Sequence, residues 1–168
     1  CAIVTGVQTC ALPILEEKRE HSGEVMVPML KYFLNYDFKI APVTITLQNY
    51  RNASKLATNI FEANQNLNKN IFIIASSDFS HFVTPKTGEE KDQYVLDKIQ
   101  NFDAEGVERV ISDKDISVCG YGPIMIVMEY TQLVAENPKN TILRKGSSGD
   151  IIPSNEVVDY VSMLFYDE

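Results

Sequence analysis

The segment that most constrains the fold is a short apolar run, residues 70–75 (NIFIIA), which leads directly into Asp78. A continuous apolar run of this length is typical of a strand that is covered on both faces, as in a parallel or mixed sheet. Residues 52–64 and 89–102, on either side, carry apolar residues at the three- and four-residue spacing of a helix. Strands separated by helices predict an α/β layered fold, with a mixed or parallel sheet flanked by helices.

The other segments fit the same architecture. Pro42 predicts an edge position or a bulge in the strand that contains it, and Pro123 suits the first turn of a helix. The patterns predict helices at residues 16–34, 103–111 and 123–135, strands at residues 38–47, 141–145 and 157–166, a β-prone stretch at 116–118 and a Gly/Ser loop at 146–150.

The first fourteen residues differ from the rest in composition, because every charged residue of the chain lies after Ile14. A signal peptide is one interpretation, but Gln8, Thr9 and Cys10 interrupt the apolar core that it requires. Residues 4–14 instead resemble the translation of a sequencing-library adapter. We therefore expect residues 1–14 to be a non-native segment and residues 15–168 to form the C-terminal part of a single domain.

Charge and cysteine content exclude several classes of protein. With 23 acidic and 15 basic side chains and a net charge of −8, a surface that follows nucleic-acid phosphates is not expected. No apolar stretch approaches the roughly 20 residues that span a bilayer, so we expect no membrane association. The three cysteines, Cys1, Cys10 and Cys119, do not form the paired spacing of a secreted disulfide framework. This pattern predicts a cytoplasmic protein.

Asp78 and His81 are the first candidates for chemistry. They follow the apolar strand, and ligands of open α/β sheets gather beyond the carboxyl ends of the strands. A carboxylate three residues before an imidazole can orient the ring or hold its proton, which suits general acid/base catalysis. The alternative is that Asp78 caps a turn and His81 is a half-exposed loop residue.

Cys119 is the second candidate, because it precedes a Gly-Tyr-Gly-Pro turn that opens a helix. Backbone amides at a helix start favour a thiolate, which suits a nucleophile or a metal ligand. The alternative is a small apolar side chain in the core.

Weaker candidates lie elsewhere. His21 and Glu24 could form a metal pair, although Ser22 capping a helix is the simpler interpretation. The loop at residues 146–150, which contains Ser148 and Asp150, could hold an anion or be only a turn. Tyr121 could reach a polar ligand or pack.

Taken in order, five motifs resemble the Memo family, whose prokaryotic members are called AmmeMemoRadiSam system protein B. The resemblance covers nearly all of residues 15–168. The motifs are Glu20-His21-Ser22-x-Glu24 followed by Pro28, Ser76-Ser77-Asp78-Phe79-Ser80-His81, Ile116-Ser117-Val118-Cys119-Gly120 with Pro123-Ile124, Ser148-Gly149-Asp150, and Val158-x-Tyr160-x-Ser162.

The resemblance implies a fold like that of the class III extradiol dioxygenases, which hold non-haem iron(II) with two histidines and a carboxylate. It implies that Cys119 replaces that carboxylate as metal ligand and that His81, with Asp78 beside it, is the acid/base group. His21 and Glu24 would line the pocket, with Tyr121, Ser148 and Asp150 as further substrate-binding candidates. The two metal histidines of the family belong to an N-terminal third that we expect this chain to lack, so metal affinity should suffer.

Three functions follow as hypotheses. The first is a metal-binding, redox-active protein that uses iron(II) or copper and acts on a small molecule. The second is a non-catalytic protein that holds a peptide or partner in a remnant pocket, without a functional metal. The third, suggested only by the prokaryotic family name, is a protein that works beside a radical enzyme.

Overall fold

A computed structural model of the chain describes residues 2–5, 21–69 and 71–168. Five helices and two three-stranded sheets make up this part, which confirms the predicted α/β class. The helices are α1 (Met26–Phe33), α2 (Tyr50–Leu67), α3 (Pro85–Gln100), α4 (Ala104–Lys114) and α5 (Tyr121–Val134). The strands are β1 (Ala2–Thr5), β2 (Ile40–Val43), β3 (Ile73–Ala75), β4 (His81–Val83), β5 (Pro138–Ser147) and β6 (Val157–Asp167), and a short 3-10 helix covers Ser148–Asp150.

Polar residues at the helix starts explain where three of the helices begin. Asn49 accepts a hydrogen bond from the backbone N–H of Asn52 and begins α2. Thr84 caps α3, with proline as the first residue of the helix, and the carboxylate of Asp103 caps α4. These side chains satisfy backbone N–H groups that have no partner within the helix.

Helix α5 is the centre of the core. Most of its residues are buried, so it is apolar on all sides, as expected of a helix that other elements surround. It packs against α2, against α4, and against β3 and β6 from the two sheets. Leu96 and Ile99 of α3 add fully buried side chains to the same cluster.

The strand pairing differs from the prediction of a parallel or mixed sheet. The orders are β2-β1-β3 and β4-β6-β5, and the ladders among the described strands are antiparallel. A continuous apolar run reports how well a strand is covered, and it carries no information about the direction of its partners. The apolar segment itself is confirmed as a strand over Ile73–Ala75, but its residues are half-buried, so within the described part of the chain it is not covered on both faces as predicted.

Several predicted boundaries shift. In the predicted helix at residues 16–34, α1 occupies Met26–Phe33, residues 21–25 form a turn, and residues 16–20 lie outside the described residues, as do Cys1, Cys10 and Asn70. The predicted β-prone stretch 116–118 forms no strand. In this stretch Ile116 and Val118 are buried and Ser117 is exposed, so the alternation is that of a strand without a ladder partner. Within the described residues, no helix is both long and apolar enough to cross a membrane.

Candidate functional site

Asp78, His81 and Cys119 lie together at the end of β3. The thiol sulfur, one imidazole nitrogen and one carboxylate oxygen all lie within 4.8 Å of one another. Cys119 is exposed, and Asp78 and His81 are half-buried. The cysteine is therefore outside the core, and the structure brings together three residues that are far apart in the chain.

Cys119 is held against the segment that follows β3. The backbone N–H of Asp78 points at the sulfur at 3.3 Å, and the hydroxyl of Ser77 lies 3.8 Å from it. The next residue, Gly120, donates its N–H to the Ser77 hydroxyl at 2.8 Å. These contacts hold the sulfur in a fixed position against the segment after β3.

His81 is oriented through its other ring nitrogen. Its Nδ1 lies 2.6 Å from the carbonyl oxygen of Ser117, and a carbonyl only accepts, so Nδ1 carries a proton. The Nε2 atom, 3.4 Å from Oδ2 of Asp78, is then the basic nitrogen of the neutral ring. The backbone N–H of His81 donates to the Ser117 hydroxyl as well, so residue 117 fixes both the ring and the chain.

A bulge next to His81 places Phe82 in the left-handed region, with φ of 54°. The register between β4 and β6 is irregular between His81 and Val83, and Phe82 is 75% exposed. Bulges of this kind re-aim side chains and are frequent beside functional sites. The bulge therefore directs Phe82 to solvent while His81 faces the site.

Two further aspartates support the segment between Asp78 and His81, Asp92 through its carboxylate and Asp159 through its backbone. The buried Asp92 of α3 accepts hydrogen bonds from the N–H and the hydroxyl of Ser80, at 3.1 and 2.6 Å. The backbone of Asp159 in β6 pairs with residues 79 and 80 at 2.9 Å. Ser80 is fully buried, so this anchoring fixes the chain between the two polar residues of the site.

The carboxyl groups of Asp92 and Asp159 form a pair. Burial, and the neighbouring Asp92, raise the pKa of Asp159 to about 6. Burial also raises the pKa of Asp92, although the hydrogen bonds from Ser80 oppose that shift. Asp92 accepts those hydrogen bonds as the anion. Below about pH 6, Asp159 is therefore the member of the pair that carries a proton. Its Oδ2 atom is buried without a hydrogen-bond partner.

Among the described residues, His21 and Glu24 do not belong to the group whose donor atoms lie within 4.8 Å of one another. His21 and Glu24 contact each other at 3.2 Å, with side chains 78% and 59% exposed, in the turn before α1. Their turn is connected to the segment after β3 through Ser22, whose carbonyl accepts a hydrogen bond from the hydroxyl of Ser76.

Tyr121, Ser148 and Asp150 make contacts within the protein. The Tyr121 hydroxyl donates to the carbonyl of Gln48 at 2.9 Å, and burial raises its pKa. Ser148 accepts from the N–H of Val158, and Asp150 accepts from the N–H of Ser147. These bonds close the turn between β5 and β6, and the role of all three residues in substrate binding stays a prediction.

Four residues that were not predicted as site residues complete the site: Ser117, which lies within one of the motifs, and Gln48, Asp92 and Asp159, which do not. Gln48 bridges the carbonyl of Cys119 and the N–H of Gly122, at 2.8 and 2.7 Å. No sequence signal indicates this role. Asp92, in contrast, lies on the apolar face of α3 with the buried Gly88, Val95 and Ile99, where a carboxylate is unexpected.

The three donor atoms suit one transition-metal ion. Metal bonds to sulfur and imidazole are about 2.0–2.3 Å long, so two donors of one ion lie at most about 4.6 Å apart. The observed spread of up to 4.8 Å needs only small side-chain rotations. A thiolate, an imidazole whose opposite N–H is anchored to a carbonyl, and a carboxylate are a donor set for iron, copper or zinc.

Comparisons with known proteins indicate the same family as the motifs. A sequence profile of the family described as "Memo-like protein" matches residues 6–164. A "MEMO1 family protein" of Sulfolobus acidocaldarius is 38% identical over 149 residues, which are 88% of this chain and 52% of the relative. One from Methanobrevibacter smithii is 40% identical over 148 residues, again 88% of this chain and 52% of the relative. One from Saccharolobus islandicus is 38% identical over 156 residues, 90% of this chain and 54% of the relative.

The described part is thus an α/β protein with a sulfur, an imidazole and a carboxylate at one rim. By its sequence, the chain belongs to the Memo-like protein family. The family resemblance drawn from the motifs is confirmed. The chain spans about half the length of the curated relatives that it matches.

Proposed function

We propose that this chain contributes the metal-binding rim of a cytoplasmic, redox-active protein that acts on a small molecule. In this proposal Cys119 is the thiolate ligand of iron(II) or copper, and His81 transfers a proton with Asp78 as its partner. The observation that carries the proposal is that the sulfur of Cys119 lies within 4.8 Å of a ring nitrogen of His81 and of a carboxylate oxygen of Asp78, so a metal ion on the sulfur would lie beside the proton-transferring ring.

The contacts of Cys119 support a ligand role. Its sulfur is accessible, and an N–H group points at it from Asp78. A soft thiolate favours softer metals than a carboxylate does, so we propose copper as an alternative to iron(II). The metal, when bound, would supply one-electron chemistry and would polarise a coordinated substrate.

The contacts of His81 support a proton-transfer role. Its Nδ1–H is held by the carbonyl of Ser117, so the basic Nε2 is the atom that can receive a proton. Asp78 lies beside Nε2 and stabilises the imidazolium that would form. This division of labour resembles other enzymes in which a carboxylate orients a basic histidine.

Anaerobic titration with Fe(II), and separately with Cu(I) against a competing chelator, tests the metal proposal. We expect stoichiometric binding to the wild-type chain and a loss of affinity of about 100-fold or more in Cys119→Ala, because the one anionic sulfur donor is removed. Co(II) provides an optical readout, since only a cobalt–thiolate bond gives an intense near-ultraviolet charge-transfer band.

His81→Ala is the matched variant for the proton role. It should keep the cobalt–thiolate band and weaken affinity by less than about tenfold, because the sulfur remains. A band and affinity unchanged in Cys119→Ala would remove Cys119 from the site. Equal losses in both variants would make His81 a principal ligand and refute the proposed division of roles.

The rival proposal is a peptide- or partner-binding protein without a functional metal. It predicts no stoichiometric Fe(II), Cu(I) or Co(II) binding, and a partner that is retained equally by wild-type and His81→Ala protein. A role beside a radical enzyme, as the name AmmeMemoRadiSam system protein B implies, would make that enzyme the partner to be tested first in this assay.

A further inference from the structure

Gln48 uses both ends of its side-chain amide on the turn that carries Cys119. Its Nε2 donates to the carbonyl oxygen of Cys119 at 2.8 Å, and its Oε1 accepts from the N–H of Gly122 at 2.7 Å. A carbonyl only accepts and an N–H only donates, so the two partners fix the orientation of the amide. A side chain that bridges them needs both a donor and an acceptor, which glutamine has and an ionised glutamate lacks.

The bond to Gly122 completes the start of α5. The first backbone N–H groups of a helix have no partner within it, and the side chain of the residue before the helix usually accepts from one of them. In α5 that residue is Gly120, which has no side chain for this purpose. Gln48 supplies the acceptor from a segment 74 residues away in the sequence. It therefore caps α5 from outside the helix.

The bond to Cys119 fixes the opposite side of the same residue. The sulfur of Cys119 faces the N–H of Asp78 and the hydroxyl of Ser77, whereas its carbonyl faces Gln48. A residue that is held at its side chain and at its carbonyl cannot rotate about its backbone without breaking one of these contacts. The position of the sulfur therefore depends on Gln48 as well as on residues 77 and 78.

The segment that carries Gln48 is itself fixed by its neighbours. The backbone carbonyl of Gln48 accepts from the hydroxyl of Tyr121 at 2.9 Å. The next residue, Asn49, caps α2, and the N–H of Tyr50 donates to the carboxylate of Glu108 in α4. Groups on a support of this kind hold a site more closely than groups on a free loop do. The amide of Gln48 is therefore held in position before any ligand binds.

We propose that Gln48 is the positioning residue of Cys119 and keeps its sulfur beside His81 and Asp78, where the three donors can share one metal ion. The amide contacts the backbone of the turn, so Gln48 acts through Cys119 and is not itself a ligand. The part of this inference that concerns metal rests on the proposed function. The part that concerns the position of the sulfur can be tested on the metal-free protein.

Two variants separate the positioning of Cys119 from the capping of α5. In Gln48→Glu a carboxylate oxygen can still accept from Gly122, and negative charge is favourable at a helix start, but no donor remains for the carbonyl of Cys119. Gln48→Leu, of similar size, removes both bonds without adding charge. We expect the urea midpoint of Gln48→Glu to stay within about 0.5 M of the wild-type value and that of Gln48→Leu to fall further.

Amide exchange of the metal-free protein reports the position of the sulfur. The N–H of Asp78 points at the sulfur, and the N–H of Gly120 donates to the hydroxyl of Ser77. Both should exchange roughly tenfold faster in the two Gln48 variants, because the turn can then move away from residues 77 and 78. In a Co(II) titration, both variants should bind about tenfold more weakly than wild type and show a weaker cobalt–thiolate band.

Asn140→Asp is the matched control for replacing an amide by a carboxylate. The amide of Asn140, on β5, donates to the carbonyls of Ile99 and Gln100 at the end of α3, at 3.3 and 3.2 Å. The variant therefore removes a donor to backbone carbonyls outside the site. Exchange at Asp78 and Gly120, and the affinity for Co(II), should stay within about twofold of wild type.

Three results would overturn the role of Gln48. They are unchanged exchange at Asp78 and Gly120 in both variants, a change in Gln48→Glu alone, which would assign the effect to the added charge, and faster exchange with unchanged Co(II) affinity. A wild-type protein without a cobalt–thiolate band would instead refute the proposed metal function. The exchange rates of the metal-free proteins would still decide whether Gln48 positions the sulfur, so the two proposals can fail separately.

Discussion

Gly120→Ala should dismantle the site even though it adds a single methyl group. A Cβ at this position would lie 2.6 Å from the Cβ of Ser77 and 2.7 Å from the backbone carbonyl oxygen of Ser76. The backbone of Gly120 itself is unstrained, with φ of −117°, so the requirement for glycine is one of space. The turn that carries Cys119 must therefore move away from the segment after β3.

The expected cost has two parts. Overpacking against backbone destabilises the fold by about 2 kcal/mol, measured as a shift in the urea midpoint. Displacement of the sulfur from the N–H of Asp78 and from His81 should lower Co(II) affinity by roughly 100-fold, because binding depends on preset donor positions. The cobalt–thiolate band should weaken in parallel.

Gly146→Ala is the control for the added methyl group. Its nearest neighbour would be the carboxylate oxygen Oδ2 of Asp150 at 3.0 Å, which has to shift by only a few tenths of an ångström and can keep its hydrogen bond from the N–H of Ser147. We expect a change in stability below about 1 kcal/mol and an unaltered Co(II) titration. Equal affinity of Gly120→Ala and wild-type protein would show that the close approach to Ser77 does not position the sulfur.

The proximity of Asp78, His81 and Cys119 was within reach of sequence reasoning because Asp78 and His81 follow a strand and Cys119 precedes a helix. The apolar run of β3 stops before Asp78, and the Gly-Tyr-Gly-Pro turn after Cys119 starts α5. Ends of strands and starts of helices meet at one edge of an α/β layer. Their chemical roles do not follow from position and stay predictions.

The contacts that hold the site could not be predicted from the sequence, with one exception. Gln48 binds two backbone atoms of the turn around Cys119, and Ser117 holds the ring and the backbone of His81, and such isolated hydrogen bonds leave no periodic trace in a sequence. The sequence did not indicate whether the strands pair parallel or antiparallel either. The apolar pattern of a strand depends on its burial, whereas its pairing depends on which strands lie beside it. Only Asp92 was detectable, as a charge on an apolar helix face.

Asp159→Asn should make the protein more stable above pH 7 and flatten its pH dependence. The pKa of Asp159 is raised by burial and by Asp92 to about 6, from an ordinary value of 3.8. A raised pKa in the folded state means that the protonated carboxyl is favoured there. Its stabilising contribution is complete below about pH 4 and is lost as the pH rises through 6.

The side chain is only partly buried, so we discount the shift and expect about 2 kcal/mol between wild-type and variant at pH 8. An asparagine amide beside Asp92 can donate a hydrogen bond and does not acquire charge at any pH. Urea unfolding of both proteins at pH 4, 5, 6, 7 and 8 gives the difference curve, from which titrations common to the two proteins cancel.

Glu89→Gln is the control that distinguishes the effect of the Asp92–Asp159 pair from the effect of removing any negative charge near it. Glu89 is exposed and contributes only a long-range repulsion to Asp159, so its removal should raise stability at pH 8 by less than about 0.5 kcal/mol. A difference curve for Asp159→Asn that is flat between pH 4 and 8 would mean that Asp159 ionises as an ordinary carboxylate. The pair with Asp92 would then share no proton.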